Sequence, residues 1–442
     1  VVGSDPKAVS STSANWPVLA NRRSAGGRLE DTGRLVGTDV FRRASISPKA
    51  KAYPQTMPAV DPNKVILTKR QSAKREWLSM LLFSSLAACM AQGAPVVSNT
   101  PPRQQFVAVE PDVKLEVLDW GGSGRNLVLL AGGGNTAHVF ASLAPKLAKH
   151  FHVYGITRRG AGVSSSPSSG YTARRSGDDV VAVLDALSLT DPVLIGHSIA
   201  GQEMSAVSKY HPGRAAALVY LDAGGPFALY NPEHGDIDTD RVELQEDLSR
   251  LAHNEFDDAT IVKTLTDETR YRRNLQDLRD EVEGAASPSP TQSDRSSIAT
   301  FQKYFVGYYG GILPGDEIRQ LYEITADGAV GARIVHPSAK RVYEFDKERF
   351  SSVDTRALVI VPYPNALNIG VTHDPAKLAA YKAQEASRKQ GQLEIWHKQR
   401  KAEIVVIPNA THYIFLSDEA EILSLISRFV DGLPRSESLH LY

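Results

Sequence analysis

Hydrophobic positions follow no period over residues 1–76, where Ser, Thr, Asn, Pro, Gly and Arg are scattered among them. Such a stretch buries too little apolar surface to offset the entropy of ordering, so it reads as a disordered leader. The alternative is that translation starts at Met57, the first methionine, and that the stretch upstream is no part of the protein. From Gln104 the pattern changes. Phe106–Val109 and Val113–Trp120 read as a strand pair, while Leu127–Leu130, Phe151–Ile156, Val193–Ile195 and Ala217–Leu221 are short, largely apolar runs. Runs of that kind are strands covered on both faces. Between them, Val139–Lys149, Arg175–Leu187 and Ile199–Tyr210 have helical spacing, the middle one gathering Val180, Val181, Val183, Leu184 and Leu187 largely on one stripe. Strands alternating with helices predict a doubly wound, mostly parallel sheet.

The alternation stops after Gly225. Residues 227–355 are charged and mostly helical in period, with an interruption at Ser287–Pro290 and no clear buried-strand pattern. Ala357–Val361 and Ile404–Ile407 then resume buried strands, and Glu419–Val430 is the last helix. The sheet domain is therefore split into 104–226 and 356–434, with 227–355 inserted as a helical cap. The insertion leaves from the carboxyl end of a strand, the edge at which open α/β sheets hold their ligands.

Between leader and sheet, Lys74-Arg75 precedes Trp77–Ala91, which is apolar apart from three serines. That run is too short to cross a bilayer, which takes about 20 residues. Basic residues, a short apolar run and then small residues are the layout of an export signal, here 77–94. Leu86-Ala87-Ala88-Cys89 resembles a lipoprotein lipobox, which predicts membrane attachment through a lipid on Cys89. Cleavage near Gly93 or Ala94 is the rival and leaves a soluble secreted protein. Either way the expected location is outside the cytoplasm, periplasmic or extracellular.

Composition narrows the chemistry. Lys+Arg and Asp+Glu are both 50, which excludes a protein-wide basic field for nucleic acid, although residues 1–75 hold 14 basic and 5 acidic side chains. A single cysteine excludes an internal disulfide framework and a cysteine-rich metal site. His150 and His152 share a strand face without a third ligand nearby, so no metal site is assigned.

The strand Val193–Ile195 runs into the helix from Ile199 through Gly196-His197-Ser198. A serine in such a tight turn is held out over the sheet edge, and small residues two before and two after it keep strand and helix from colliding. Gly196 and Ala200 meet that requirement. Ser198 is the candidate nucleophile, and it needs a base. Of the 12 histidines, His412 has the right setting, in a short loop between the last strand and the last helix. Gly132-Gly133-Gly134, after the strand Leu127–Leu130, frees backbone amides to approach a ligand. The Gly133 and Ile199 N–H groups are the candidate oxyanion hole, each donor lowering the barrier by about 3 kcal/mol.

Leu130–Asn135, Arg159–Ser164, Gly196–Gly201 and Pro408–His412, in that order, resemble the α/β-hydrolase superfamily over about residues 105–432. The resemblance implies an eight-stranded sheet, with the cap inserted after strand 6, and a Ser-His-acid triad. A serine at the elbow is similar to the esterase and lipase branches. The family's usual acid position falls near Asn365, which is no acid, so Asp222 after the sixth strand and Asp374 further on stand as alternatives. The expected activity is hydrolysis of a small-molecule carboxylic ester through an acyl-enzyme on Ser198, with no cofactor. Two other readings compete. Gly132–Ala137 also fits the glycine fingerprint of an NADP-binding oxidoreductase, with Arg158 and Arg159 placed for a 2′-phosphate. A hydrolase-like binding protein without turnover is the other.

Overall fold

The computed structural model describes residues 65–67, 101–253, 257–284, 289–335, 348–365 and 374–434. Val1–Pro58 separates from Ala59–Tyr442 as its own unit, and the fold below is that of the second. Residues 77–94, expected to be an export signal, lie outside the described residues, Cys89 included, as does the expected leader apart from Val65–Leu67.

Eight strands follow in chain order: β1 Arg103–Glu110, β2 Val113–Gly121, β3 Asn126–Leu130, β4 His152–Thr157, β5 Val193–His197, β6 Ala217–Leu221, β7 Ala357–Pro362 and β8 Ala402–Ile407. They lie side by side in the order β1-β2-β4-β3-β5-β6-β7-β8, and Val65–Leu67 adds a ninth, parallel beside β8. β2 runs antiparallel to both neighbours, and the strands from β4 to β8 are all parallel. This is the doubly wound, mostly parallel sheet of an α/β-hydrolase fold.

Period-two alternation splits each strand between two cores. Leu127 and Leu129, with Val193, Ile195, Val219 and Ile360, pack on one face against Phe140 and the helix Glu419–Asp431. Val128 and Leu130, with Leu194, Leu218 and Val359, pack on the other. There they meet α1 Ala173–Ala186 through Val180 and Leu184, α2 Ala200–Tyr210 through Met204 and Val207, and Pro375–His397 through Trp396. Burial on both faces is why these strands are continuously apolar. The helix expected over 139–149 is broken into Ala137–Phe140 and Ala144–Leu147, the second starting with Pro145 in its first turn. Proline lacks an N–H and is tolerated only there.

Between β6 and β7 the inserted segment builds α3 Ile237–Ala252, α4 Asp258–Gly284, α5 Ile298–Tyr309 and α6 Gly315–Leu321. It also holds an antiparallel pair, Tyr322–Ile324 with Val330–Arg333, which the helical reading lacked. The aromatic run in α5 joins the core on one face of the sheet: Phe301 is wholly buried in the same cluster as Leu129 and Phe140, its ring 4.8 Å from Phe305 and 4.9 Å from Tyr322.

Candidate active site

β5 ends at His197 and the chain enters α2 through Ser198, whose φ is +55°. A non-glycine residue in that region costs of order 1–3 kcal/mol and persists only where its surroundings dictate it. Crowding does so here. A Cβ on Gly196 would lie 2.6 Å from Met204 Cε and 3.0 Å from Ala200 Cβ, and one on Gly201 would run into the Ala223 carbonyl oxygen. The half-buried serine is thereby lifted to the carboxyl edge of the sheet.

One strand over, Asp222 follows β6, and its N–H donates to the Ile360 carbonyl of β7 at 3.0 Å. Its carboxylate is held from two sides. Oδ2 accepts from His412 Nδ1 at 2.7 Å, and Oδ1 from the ammonium of Lys389 on α7 Pro375–His397. Both Asp222 and Lys389 side chains are 6% exposed. Burial pushes the Asp222 carboxyl up, but the Lys389 charge and the His412 hydrogen bond outweigh it and hold the group well below the usual carboxylate range. With its proton on Nδ1, the His412 ring leaves Nε2 as the basic nitrogen. Asp374, the other candidate acid, instead caps α7, accepting from the N–H groups of Ala376 at 2.9 Å and Lys377 at 3.3 Å. The structure brings Asp222, not Asp374, to His412.

His197 wedges these parts together. Its Nε2 donates to the His412 carbonyl at 3.0 Å, and the two rings lie 4.5 Å apart. Complete burial holds its imidazole well below the ordinary histidine range, so it is neutral. Across from it, the loop after β3 comes so close that a Cβ on Gly132 would lie 2.5 Å from His197 Nδ1 and 3.2 Å from Ser198 Cβ. Glycine is required there for contact, not for an unusual turn. The Gly133 and Ile199 N–H groups have no acceptor among the described residues, which leaves both free for a ligand.

Arg158 props the same loop from behind. Its guanidinium donates to the carbonyls of Ala131 and, at 3.0 Å, Gly132, and its Nε pairs with Glu203 of α2 at 2.8 Å. Arg159 donates at 2.7 Å to Asp179 and at 2.7 Å to Glu110. Both guanidiniums are therefore engaged inside the fold, and neither faces a 2′-phosphate; the dinucleotide reading loses its anchor. His152 is hydrogen-bonded to Asp119 at 2.9 Å, and no group of three metal-ligating side chains occurs among the described residues.

Sequence reasoning did not single out Lys389, His197, Glu203 or Glu317 of α6. Glu317 accepts from Asn135 Nδ2 at 2.9 Å and Thr136 N at 3.0 Å. An apolar-spaced helix offers no signal for a buried lysine that pairs 167 residues away.

A model of the family described as alpha/beta hydrolase fold matches residues 125–419. The putative carbamate hydrolase RutD of Caulobacter segnis is 34% identical over 110 residues, 24% of this chain and 41% of that protein. The 2-(acetamidomethylene)succinate hydrolase of Mesorhizobium japonicum is 27% identical over 101 residues, 23% of this chain and 36% of that protein. The chain thus aligns with less than half the length of these curated relatives. A crystal structure of E-2-(acetamidomethylene)succinate hydrolase aligns with 75% of this chain and 100% of that one, at 19% identity and a TM-score of 0.44.

Proposed function

The chain belongs to the alpha/beta hydrolase family, and from that premise we propose that it is a serine hydrolase cleaving a carboxylic ester through an acyl-enzyme on Ser198. The observation that carries this is the 2.7 Å bond between His412 Nδ1 and Asp222, made at the sheet edge where the strained Ser198 turn opens. Ser198 Oγ attacks the ester carbonyl while His412 Nε2 takes its proton, and the Gly133 and Ile199 amides receive the charge that develops on the carbonyl oxygen. The imidazolium then protonates the leaving alcohol. Water, deprotonated by the same nitrogen, releases the acid and restores the serine. Asp222 keeps the proton on Nδ1 and stabilises the imidazolium as it forms.

The test is a panel of p-nitrophenyl esters of increasing acyl length, assayed with the full chain and with Ser198→Ala. The panel includes an aryl carbamate and an anilide, because the two relatives are named for a carbamate and for an acetamidomethylene compound. The expected loss in the variant is about 10⁴–10⁶ in kcat with the fold intact. A folded variant that kept its turnover would end the proposal. Export through residues 77–94 is part of the same proposal, either with cleavage near Gly93 or Ala94 or with a lipid on Cys89. Metabolic labelling with a fatty acid that Cys89→Ser leaves undiminished would count against the lipid.

A further inference from the structure

Glu317 lies in the first turn of α6, next to the exposed Asp316, yet its own side chain is wholly buried. Among the described residues no cation pairs with it. The His138 ring acts on it only through space, its Nε2 being bonded to Glu116 at 3.1 Å. Instead the carboxylate collects neutral donors: Asn135 Nδ2 at 2.9 Å and Thr136 N at 3.0 Å on one oxygen, and the Thr136 hydroxyl on the other. Asn135 in turn accepts from the Tyr413 hydroxyl at 3.1 Å. Tyr413 is the chain neighbour of His412, and its ring lies 4.2 Å from Tyr309 at the end of α5. One carboxylate from the inserted segment therefore ties together the loop that carries Gly133 and the loop that carries the histidine.

We propose that Glu317 is a positioning residue that aims the Gly133 N–H, so that the inserted segment completes the oxyanion hole. The proposal rests on the serine-hydrolase reading above. Its geometry is a division of labour along one short loop. Arg158 holds the carbonyls of Ala131 and Gly132, Glu317 holds Asn135 and Thr136, and an Asn135 N–H bond to the Gly132 carbonyl at 3.3 Å closes the turn between them. Gly133 sits inside that turn. Without Glu317 the far anchor is gone, and a displacement of about 1 Å at an oxyanion donor lowers turnover by about a hundredfold.

The experiment compares Glu317→Ala, Glu317→Gln and Thr136→Val with the wild-type chain. Each is assayed on the best ester of the panel and with a trifluoromethyl ketone, which forms an oxyanion on the enzyme. Glu317→Ala should lower kcat about 10–100-fold with KM within about twofold, and weaken the ketone in proportion to kcat/KM. Glu317→Gln should stay within about fivefold of wild type, because its amide oxygen still receives Asn135 and Thr136 N. Thr136→Val, which removes one donor and keeps the shape, should fall between them and serves if the alanine variant does not fold. A Glu317→Ala loss carried by KM alone, or one that leaves ketone affinity unchanged, would overturn the proposal by making Glu317 a docking residue only. A Ser198→Ala variant that retained turnover would instead remove the underlying reading, so the two failures are distinguishable.

Discussion

Two buried carboxylates flank the candidate site, and they are held in opposite ways. Asp222 faces a cation: Lys389 reaches it from α7, and the carboxyl stays ionised far below its ordinary range. Glu317 faces only amide, backbone and hydroxyl donors, and burial, not fully offset by those hydrogen bonds, pushes its carboxyl up. Burial alone raises both, so what separates them is whether a full positive charge stands alongside. The difference fits their tasks. On the proposed mechanism, Asp222 answers a charge that appears on His412 during turnover. Glu317 has only to accept hydrogen bonds that never change.

Substitutions test that contrast. The largest effect is expected from Asp222→Asn, which offers His412 an amide in place of a charge. It should lower kcat by about 10³–10⁴ at neutral pH without moving KM, measured on the ester that the wild type turns over best. A loss of tenfold or less would mean that Asp222 only braces the loop. Lys389→Met comes next, with a loss of about tenfold. Asp222 would keep its bond to His412 while losing its counter-charge. Glu385, one turn earlier on α7, is itself pushed up by burial. An unchanged kcat would show that Lys389 is only a packing partner.

The smallest effect is on stability, and its sign is the sharpest test. Glu317 is raised above its ordinary 4.5, so the stability it contributes is present below that value and is lost as pH rises through the folded-state value. The melting temperature of Glu317→Gln should therefore gain on wild type as pH rises from about 4.5. Asp222 is lowered below its ordinary 3.8, so its contribution is present above that value and is lost as pH falls through the folded-state value. The deficit of Asp222→Asn should shrink only in strong acid. Thermal melts between pH 3 and pH 8 that gave both variants the same slope against wild type would break the contrast.

The halves of the site were unequally readable from the chain. Ser198, Gly133 and Ile199 belong to strand–turn–helix patterns a few residues long, in which apolar runs and small residues mark the geometry directly. Asp222 was readable only as one of two acids, because adjacency to His412 depends on β6, β7 and β8 lying in register, and no local pattern records that. Lys389 and Glu317 were hidden for a further reason. Asp316 and Glu317 look like ordinary solvated carboxylates in a first helical turn, and α7 buries Glu385, Lys389 and Gln392 along the face that a sequence pattern would assign to apolar side chains. A polar residue that turns inward to meet a partner has the same letter as one that turns outward to water. The inserted segment was the least readable part: charge blurred its periodicity and concealed the strand pair at Tyr322–Arg333.

The separation of the paired groups along the chain also sets an order of events. His412 lies 190 residues beyond Asp222, and Glu317 182 residues beyond Asn135. Contacts so distant in sequence form late, after the loops between them have closed. During synthesis the serine turn emerges from the ribosome long before the histidine that would activate it, and β8 must pair with β7 before that histidine has a place to stand. A growing chain, or one cut short before its last strand, would on the proposed mechanism carry a nucleophile without a base. On that mechanism, turnover would report that the whole sheet has closed.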